Sequence, residues 1–298
     1  MSCESNREED NMKKMIVSIL LISTMIAIVG CGSNNGFDSN RIINVITREE
    51  GSGTRGAFTE LFELEERDAD GNKKDMISKE ASVESNTNSI LSTVQNDTYA
   101  IGYISMGSLN DDVKAVDIDG IAATAENVQS GTYPISRPFN IATSGDVTGV
   151  TKDFIEFILS AEGQEVVAGS YISVDENATP YAGNKESGTI TVGGSSSIAP
   201  LMEKLIERYA QLNPNADVEL QISDSSIGMT QTMEGAYDIG MASRALKDSE
   251  KEELTDLPIA LDGLAVIVNK ENEITNLSKT DVQKIYLAEV ETWSEIKE

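Results

Sequence analysis

Histidine is absent from the 298-residue sequence. Because histidine is the commonest general base near neutral pH and the commonest metal ligand, its absence excludes Ser-His-Asp and Cys-His catalytic groups. The sequence also lacks the G-x-S-x-G turn of α/β hydrolases and the GK[ST] loop of nucleotide-binding proteins. A phosphatase or serine hydrolase that uses Ser52, Ser195 or Ser196 is therefore an alternative with little support.

Basic residues are few. The sequence has 23 Lys and Arg against 50 Asp and Glu, which gives a formal net charge of −27. Nucleic-acid binding depends on Lys and Arg side chains that displace counterions from phosphates, so this charge argues against a nucleic-acid partner and favours an acidic, soluble surface. An anion site can still exist, because charges more than ~8 Å away are largely screened in physiological salt.

Cysteine occurs twice, and the second cysteine ends the longest apolar run. Residues 15–30 (MIVSILLISTMIAIVG) follow Lys13 and Lys14 and precede Cys31. The run is shorter than the ~20 residues that span a bilayer and has the length of a signal-peptide core. Since IVGCG resembles a lipobox, we expect residues 1–31 to be a signal peptide and Cys31 to be lipidated. A signal anchor and an ordinary buried cysteine are the alternatives.

The residues on either side of this signal region predict the translation start and a tether. The residues before Met12 are acidic where a signal peptide is normally basic, so we infer that translation starts at Met12. Residues 32–40 (GSNNGFDSN) are rich in Gly, Asn and Ser, which is typical of a flexible tether. With Cys3 upstream of the start and Cys31 lipidated, the mature chain would have neither a free thiol nor a disulfide.

Short apolar runs alternate with segments of helical periodicity after the tether, which is typical of an α/β fold. Residues 173–188 (SVDENATPYAGNKESG) lack apolar periodicity and indicate a linker. The predicted strands are residues 43–47, 100–105, 113–118, 135–143, 189–192, 217–222 and 258–268. The predicted helices are residues 54–66, 151–167, 199–212 and 279–289.

Three small-residue turns each follow a predicted strand and precede a predicted or candidate helix. They are EEGSGTRG (49–56), GGSSSIAP (193–200) and SDSSIGMT (223–230). The first backbone N–H groups of a helix have no helical partner, so each turn is a candidate anion site, although a plain helix cap is the commoner outcome. Because ligands of open α/β sheets bind at the carboxyl ends of strands, three such turns favour one shared oxyanion pocket.

Arg48 directly follows the first predicted strand. Its planar guanidinium could donate to two oxygens of a tetrahedral anion. It could also form a surface ion pair with Glu49 or Glu50. Both interpretations can be correct at once, since a neighbouring Glu could fix the guanidinium that contacts the ligand.

Several longer motifs resemble the phosphate-binding lipoproteins of bacterial phosphate ABC importers. They are VITREEGSGTRGAF, GTITVGGSSSIAPLMEKL, YDIGMASRALKDSE, IALDGLAVIVN and YPISRPFNIAT. The resemblance covers nearly everything after Arg41. It implies an α/β, two-lobed periplasmic-binding-protein fold (type II) with a two-strand hinge, which closes on phosphate and delivers it to a membrane permease and its ATPase. It also implies a lipid-anchored monomer on the outer face of the cytoplasmic membrane, without enzymatic activity, metal or cofactor.

The family's ligand-contacting positions can be transferred motif by motif. They fall on Arg48, Ser52, Gly53 and Thr54 of REEGSGT, on Ser196 and Ser197 of GSSS, and on Ser225 of SDSS.

The order of the motifs departs from the family. Members run from TITV through GSSS, DIGMASR and WSEI to VITREEGSGTR and YPISRPF, whereas here the later half comes first. We therefore expect a circular permutation, with residues 173–188 joining the family's usual end to its usual beginning. One lobe would comprise residues 41–136 plus 263–298, and the other residues 137–262. Arg41 and Glu298 would then be neighbours in space.

The motifs do not assign the residue that would distinguish hydrogen phosphate from sulfate. Some family members carry an aspartate that accepts the proton of hydrogen phosphate, and the comparable place in DIGMASRAL holds Arg244. Asp224 or Glu50 could accept the proton instead. Arg244 could be a second cationic contact or form a rim salt bridge with Asp248 or Glu250.

The alternatives to a phosphate receptor are a receptor for sulfate or molybdate and a phosphate-sensing surface lipoprotein without a transport role. A ligand-free surface protein or domain-swapped dimer is a further alternative.

Overall fold

The computed structural model describes residues 36–67 and 73–296. The predicted signal peptide, the start at Met12 and the lipidation of Cys31 lie outside the described residues, as do residues 32–35 of the tether. The described residues from Asp38 onward form one compact unit. None of the described helices is long and apolar enough to cross a bilayer.

Fourteen strands are described. They are β1 (Asn44–Arg48), β2 (Glu65–Arg67), β3 (Lys73–Asp75), β4 (Ser82–Glu84), β5 (Ala100–Ser105), β6 (Val113–Ala115), β7 (Asp117–Ile118), β8 (Ser136–Ser144), β9 (Ile172–Ser173), β10 (Gly188–Ser195), β11 (Ala216–Ser223), β12 (Ile239–Ala242), β13 (Leu254–Asn269) and β14 (Asn276–Leu277).

The described α-helices alternate with these strands. They are α1 (Gly53–Leu61), α2 (Thr87–Asn96), α3 (Ala125–Gln129), α4 (Gly149–Ile158), α5 (Ala161–Ala168), α6 (Ala199–Leu212), α7 (Ser225–Met233), α8 (Asp248–Lys251) and α9 (Lys279–Tyr286). The expected α/β class is therefore confirmed, as are the strand at 100–105 and the helix at 199–212.

Three helices predicted from periodicity differ in extent from the helices of the structure. The helix predicted over 54–66 ends at Leu61, because Glu63 adopts a left-handed backbone (φ 57°) and the chain then forms β2. The segment predicted as one helix over 151–167 is two helices, since the Ser160 side chain accepts the Gly163 N–H and starts α5. The helix predicted over 279–289 ends slightly early, at Tyr286.

One mixed sheet of ten strands organises the described residues. Its strand order is β11-β10-β12-β8-β13-β5-β1-β4, with β6 and β9 also paired to β13. Strands β10, β11 and β12 are mutually parallel, as are β1, β4 and β5, whereas β8 and β13 run antiparallel to their neighbours. The two antiparallel strands therefore join two parallel blocks.

Each parallel block packs against its own hydrophobic core. The core beside β10 to β12 has Phe139, Phe154, Phe157, Tyr171 and Tyr209 as its largest members. A second core beside β1 and β5 includes Ile46, Ile90, Val94, Ile104 and Ile267. The two cores are consistent with two lobes, although the predicted lobe boundaries remain a prediction.

The segment predicted as a linker is fixed to the helices beside it. Between β9 and β10 it forms neither helix nor strand. The buried carboxylate of Asp153 accepts hydrogen bonds from the Tyr181 hydroxyl at 2.7 Å and the Asn184 N–H at 3.1 Å. It also accepts one from the Tyr209 hydroxyl of α6 at 2.7 Å. Burial opposes ionisation of Asp153, but these donors outweigh burial and lower its pKa.

The first and last described segments of the compact unit lie side by side. The Ile43 N–H donates to the Glu291 carbonyl at 2.8 Å, and the Ser294 N–H donates to the Ser39 carbonyl at 2.7 Å. The expected neighbour of Arg41, Glu298, lies outside the described residues. The contacts nevertheless bring the two ends of the compact unit together, as the permuted order requires.

A buried ion pair joins the two antiparallel strands. Asp262 of β13 lies opposite Arg137 of β8, and its Oδ2 is 3.2 Å from both Nε and Nη2 of the guanidinium. Arg137 also donates to the Ser243 carbonyl at 3.0 Å, and the Ser105 hydroxyl donates to Asp262 at 2.8 Å. Burial raises the pKa of Asp262 to about 6 against the opposing effects of Arg137 and Ser105. The pair thus links both parallel blocks at the cost of two desolvated charges.

Removing one partner of this pair should be far more damaging than removing both. Arg137→Met alone would leave the Asp262 charge buried and is expected to lower the free energy of unfolding by ~3–5 kcal/mol. Arg137→Met combined with Asp262→Leu should recover much of that loss, because no uncompensated charge remains. Urea denaturation of the single and double variants measures the difference; equal losses would contradict a dominant electrostatic role.

Candidate anion-binding site

The carboxyl ends of the two parallel blocks face each other. Strand β1 ends at Arg48 and is followed by α1, and β4 is followed by α2. From the other block, β10 ends at Ser195 before α6, β11 ends at Ser223 before α7, and β12 is followed by Ser243. The three turns predicted from sequence therefore meet, together with a fourth turn before α2 that the sequence analysis did not identify.

Seven buried hydroxyl side chains from these turns form one connected group, here called the hydroxyl cluster. Its closest pair is Thr54 Oγ1 and Ser197 Oγ at 2.6 Å, followed by Ser195 Oγ and Ser243 Oγ at 2.9 Å. Longer contacts of 3.3–3.5 Å connect the rest. The members of the hydroxyl cluster are Thr54, Thr87, Ser195, Ser196, Ser197, Ser225 and Ser243.

The backbone around the hydroxyl cluster adds to its donor character. Helices α1, α2, α6 and α7 begin at or next to members of the cluster. The first N–H groups of each helix lack helical partners, and the helix dipole places partial positive charge there. Hydroxyl groups can also donate, so the arrangement complements the oxygens of an anion.

Arg48 brings the formal positive charge to this cluster. The side chain is 3% exposed, and its Nη2 donates to Ser196 Oγ at 3.1 Å. Its Nε and Nη2 donate to the two carboxylate oxygens of Glu49 at 2.8 Å each. Both sequence hypotheses for Arg48 therefore hold in part, since Glu49 orients a guanidinium that reaches the cluster.

The main chain of Arg48 is also fixed. Its N–H donates to the Tyr103 hydroxyl at 3.2 Å, and its carbonyl accepts a hydrogen bond from Arg55 Nη1 at 2.6 Å. The Tyr103 ring stacks on Phe58 at a centroid distance of 3.8 Å. Burial raises the pKa of Tyr103 to about 12, so its hydroxyl stays neutral and keeps its proton.

The turn that carries Ser52 and Gly53 lies directly against the opposite block. A Cβ on Gly53 would stand 2.3 Å from Ser225 Oγ and 2.9 Å from Ser243 Oγ. The Ser226 N–H donates to the Gly51 carbonyl at 3.2 Å. The buried Ser52 hydroxyl caps α1 by accepting the Arg55 N–H at 3.3 Å. Glycine at position 53 thus permits the close approach of the two blocks.

The two remaining residues of the predicted site, Asp224 and Arg244, make contacts outside the hydroxyl cluster. Asp224 caps α7, with its Oδ1 accepting the Ile227 N–H at 2.8 Å. Arg244 forms a two-point salt bridge with Glu250 at 2.7 and 2.8 Å, as the rim-salt-bridge alternative anticipated. Burial opposes ionisation of Glu250, but the hydrogen bonds from Arg244 and the Lys247 N–H outweigh it and lower the pKa.

Thr87 and Ser243 were missed by the sequence analysis. Thr87 follows the short strand β4, whose three residues carry too weak a periodicity to be identified. A signal was present in Asn86 and Ser89, which form a capping box around the start of α2. Ser243 follows the four-residue strand β12, which is likewise too short to be identified from its periodicity.

A family comparison bears on this geometry. The profile of the PBP superfamily domain matches residues 33–162 and 179–297. Phosphate-binding protein PstS 2 of Streptococcus agalactiae is 45% identical over 290 residues, which cover 95% of this chain and 99% of that protein. This chain belongs to the PstS family of the PBP superfamily.

Other PstS proteins match to different extents. A crystal structure of the phosphate-binding protein of a phosphate ABC transporter from Streptococcus pneumoniae shares 43% identity, with a TM-score of 0.69. The match covers 86% of this chain and 100% of the S. pneumoniae chain. The phosphate-binding protein PstS of Bacillus subtilis is 32% identical over 115 residues, only 38% of each protein. The match is thus full-length for the streptococcal proteins and confined to one stretch for the Bacillus protein.

Two glycines of α1 offer a matched test of how closely the blocks approach. Gly53→Ala would collide with the Ser225 and Ser243 hydroxyls and is expected to lower the free energy of unfolding by ~1–3 kcal/mol. Gly56→Ala meets only Arg244 Cδ at 3.7 Å, an ordinary contact. It should be neutral or stabilising by up to ~1 kcal/mol, because it removes a glycine from a helix. Urea denaturation of both variants measures the contrast, and equal effects would contradict close packing at position 53.

Proposed function

We propose that this chain is a receptor for inorganic phosphate and delivers it to an ABC importer. The observation that carries the proposal is the meeting of Arg48 with the hydroxyl cluster at four helix starts. Such a set of donors can surround a dehydrated tetrahedral anion without a metal. The names of the PstS relatives support phosphate as that anion. We assign ligand contacts to Arg48, Ser52, Gly53, Thr54, Ser196, Ser197 and Ser225.

Sulfate and molybdate are tetrahedral oxyanions that the same donors could bind. Calorimetric titration with phosphate, followed by competition with each of the other anions, separates the possibilities. We expect phosphate to bind at least tenfold more tightly than sulfate. Equal affinities would replace the phosphate receptor by a general oxyanion receptor.

Arg48 should dominate the binding energy. Arg48→Ala removes charge-assisted hydrogen bonds, each worth ~1.5–3 kcal/mol, and should weaken phosphate binding by well over tenfold. The fold should persist, since Glu49 is partly exposed and can be solvated. Arg208→Ala removes the same charge from an exposed contact with Gln211 and is the matched control. Unchanged affinity in Arg48→Ala, with native circular dichroism, would place the ligand elsewhere.

The site supports binding rather than turnover. Its hydroxyls contact one another and the Arg48 guanidinium, and no histidine exists in the chain to act as their base. We therefore infer a non-enzymatic receptor. Measurable hydrolysis of p-nitrophenyl phosphate by the purified protein would contradict this inference.

The cellular context follows from the family and the sequence. We infer that the chain acts outside the cytoplasmic membrane as a lipid-anchored monomer and passes phosphate to a permease with an ATPase subunit. The anchor would be Cys31, with residues 32–40 as the tether. Arg244 and Asp224 are left as weaker candidates for ligand contact, since their described contacts are a salt bridge and a helix cap.

We infer that the motif order is a circular permutation relative to PstS proteins such as that of B. subtilis, and that the S. agalactiae protein, which matches over its full length, shares this order. The confinement of the B. subtilis match to 38% of each protein supports the permutation. So does the pairing of residues 39–43 with residues 291–294.

The permutation can be tested by reversing it. A chain that starts at Lys185, runs to Ile296, continues through a short Gly/Ser linker into Ser39 and ends at Asn184 should fold and bind phosphate. The reason is that ends already in contact cost little closure entropy, about 0.6 kcal/mol per doubling of loop length. A matched chain cut inside α6 after Ile206 should fail to fold. Failure of the first chain as well would contradict the permutation.

A further inference from the structure

Thr87 is the member of the hydroxyl cluster that no sequence motif assigned. It is the first residue of α2, and its side chain is buried (4% exposed). Its Oγ1 lies 3.4 Å from Ser196 Oγ and 3.3 Å from Ser197 Oγ. Both serines belong to the opposite parallel block. Thr87 therefore reaches across the cleft to the same hydroxyls that Arg48 and Thr54 contact.

The Thr87 hydroxyl does not cap its own helix. Asn86 caps α2 by accepting the Ser89 N–H at 2.9 Å, and the Asn86 N–H donates to the Ser89 hydroxyl at 3.3 Å. By contrast, the buried hydroxyl of Thr232 donates to the Gly228 carbonyl of its own helix at 2.8 Å. Among the described residues, Thr87 instead pairs with hydroxyls that can rotate toward a third group.

The position of Thr87 also fits the route by which an anion would arrive. A cavity of about 730 Å³ is lined by Thr87 and Ser196 together with Asn86, Asn88 and Glu203. Glu203 is the one charged residue among its lining residues. A second cavity of about 410 Å³, beside Ser52 and Ser226, is lined by Glu50, Glu60, Glu65 and Asp248 as well as Arg244 and Lys247. An anion meets fewer negative charges through the first cavity, whose lining includes two members of the hydroxyl cluster, Thr87 and Ser196.

We propose that Thr87 is a further ligand-contacting residue, whose hydroxyl binds the oxyanion from the α2 side and closes the pocket behind it. This inference rests on the phosphate binding proposed above. On binding, the Thr87 hydroxyl exchanges its long contacts with Ser196 and Ser197 for a charge-assisted hydrogen bond to a ligand oxygen. Thr87 thereby links the two parallel blocks through the ligand.

The test uses Thr87→Val, which keeps the shape of the side chain and removes the hydroxyl, and Thr87→Ser, which keeps the hydroxyl. Calorimetry with inorganic phosphate should show about 10- to 100-fold weaker binding for Thr87→Val, as expected for the loss of one hydrogen bond to a charged ligand. Thr87→Ser should stay within about threefold of the wild type. Thr232→Val, which removes a buried hydroxyl bonded within its own helix, should also stay within threefold.

Three results would overturn the inference. Thr87→Val that binds within threefold of the wild type would show that the hydroxyl does not contact the ligand. Thr87→Ser that is as weak as Thr87→Val would show that the methyl group, and hence packing, matters instead. A melting temperature of ligand-free Thr87→Val far below that of Thr232→Val, together with a Thr87→Ala variant that binds phosphate within threefold of the wild type, would assign Thr87 a structural role instead. Wild-type protein that binds no phosphate would instead refute the proposed function itself.

Discussion

The buried pair of Arg137 and Asp262 is the interaction on which the rest of the structure depends. It lies where β8 and β13 run side by side, and these two strands are the connection between the parallel blocks. Asp262 accepts a hydrogen bond from Ser105 at the end of β5, and Arg137 donates to the Ser243 carbonyl beside β12. One ion pair thus sets the relative position of strand ends from both blocks. Removing two charges from water is costly, so the ion pair adds little to the free energy of unfolding. Its main effect is to fix the relative position of the strand ends.

The candidate site is a consequence of that arrangement. Parallel strands followed by helices bring unpaired N–H groups to one edge, and two such edges face each other here. Small residues at the turns then allow contact distances that larger side chains would prevent, as at Gly53. The hydroxyl cluster fills the interface with groups that can both donate and accept hydrogen bonds. The polar groups of both surfaces can therefore stay hydrogen-bonded when the surfaces meet. Arg48 adds the charge, and Glu49, Arg55 and Tyr103 hold it in place.

Much of this could be predicted from the sequence, and the omissions have identifiable causes. Arg48 at the end of β1 and the small-residue turns after β1, β10 and β11 indicated a shared pocket, and the family resemblance assigned Thr54, Ser196, Ser197 and Ser225 to it. Strand β4 has three residues and β12 has four, too few for alternation to be visible. The residues that follow them, Thr87 and Ser243, were missed for that reason. Periodicity also continues through the break at Ser160 and the left-handed Glu63, so helix ends were misplaced there.

The single strand β13 has a consequence for the order of folding. It is 16 residues long and pairs with strands of both blocks, including β5 and β6 on one side and β8 and β9 on the other. Both cores contain residues of this late segment, and its partners lie up to 167 residues earlier, where Val268 pairs with Ile101. Pairing across such sequence separations is slow, because the entropy of loop closure is lost before the contacts form. Because the candidate site lies between the two blocks, it cannot take shape until β13 has paired with both of them.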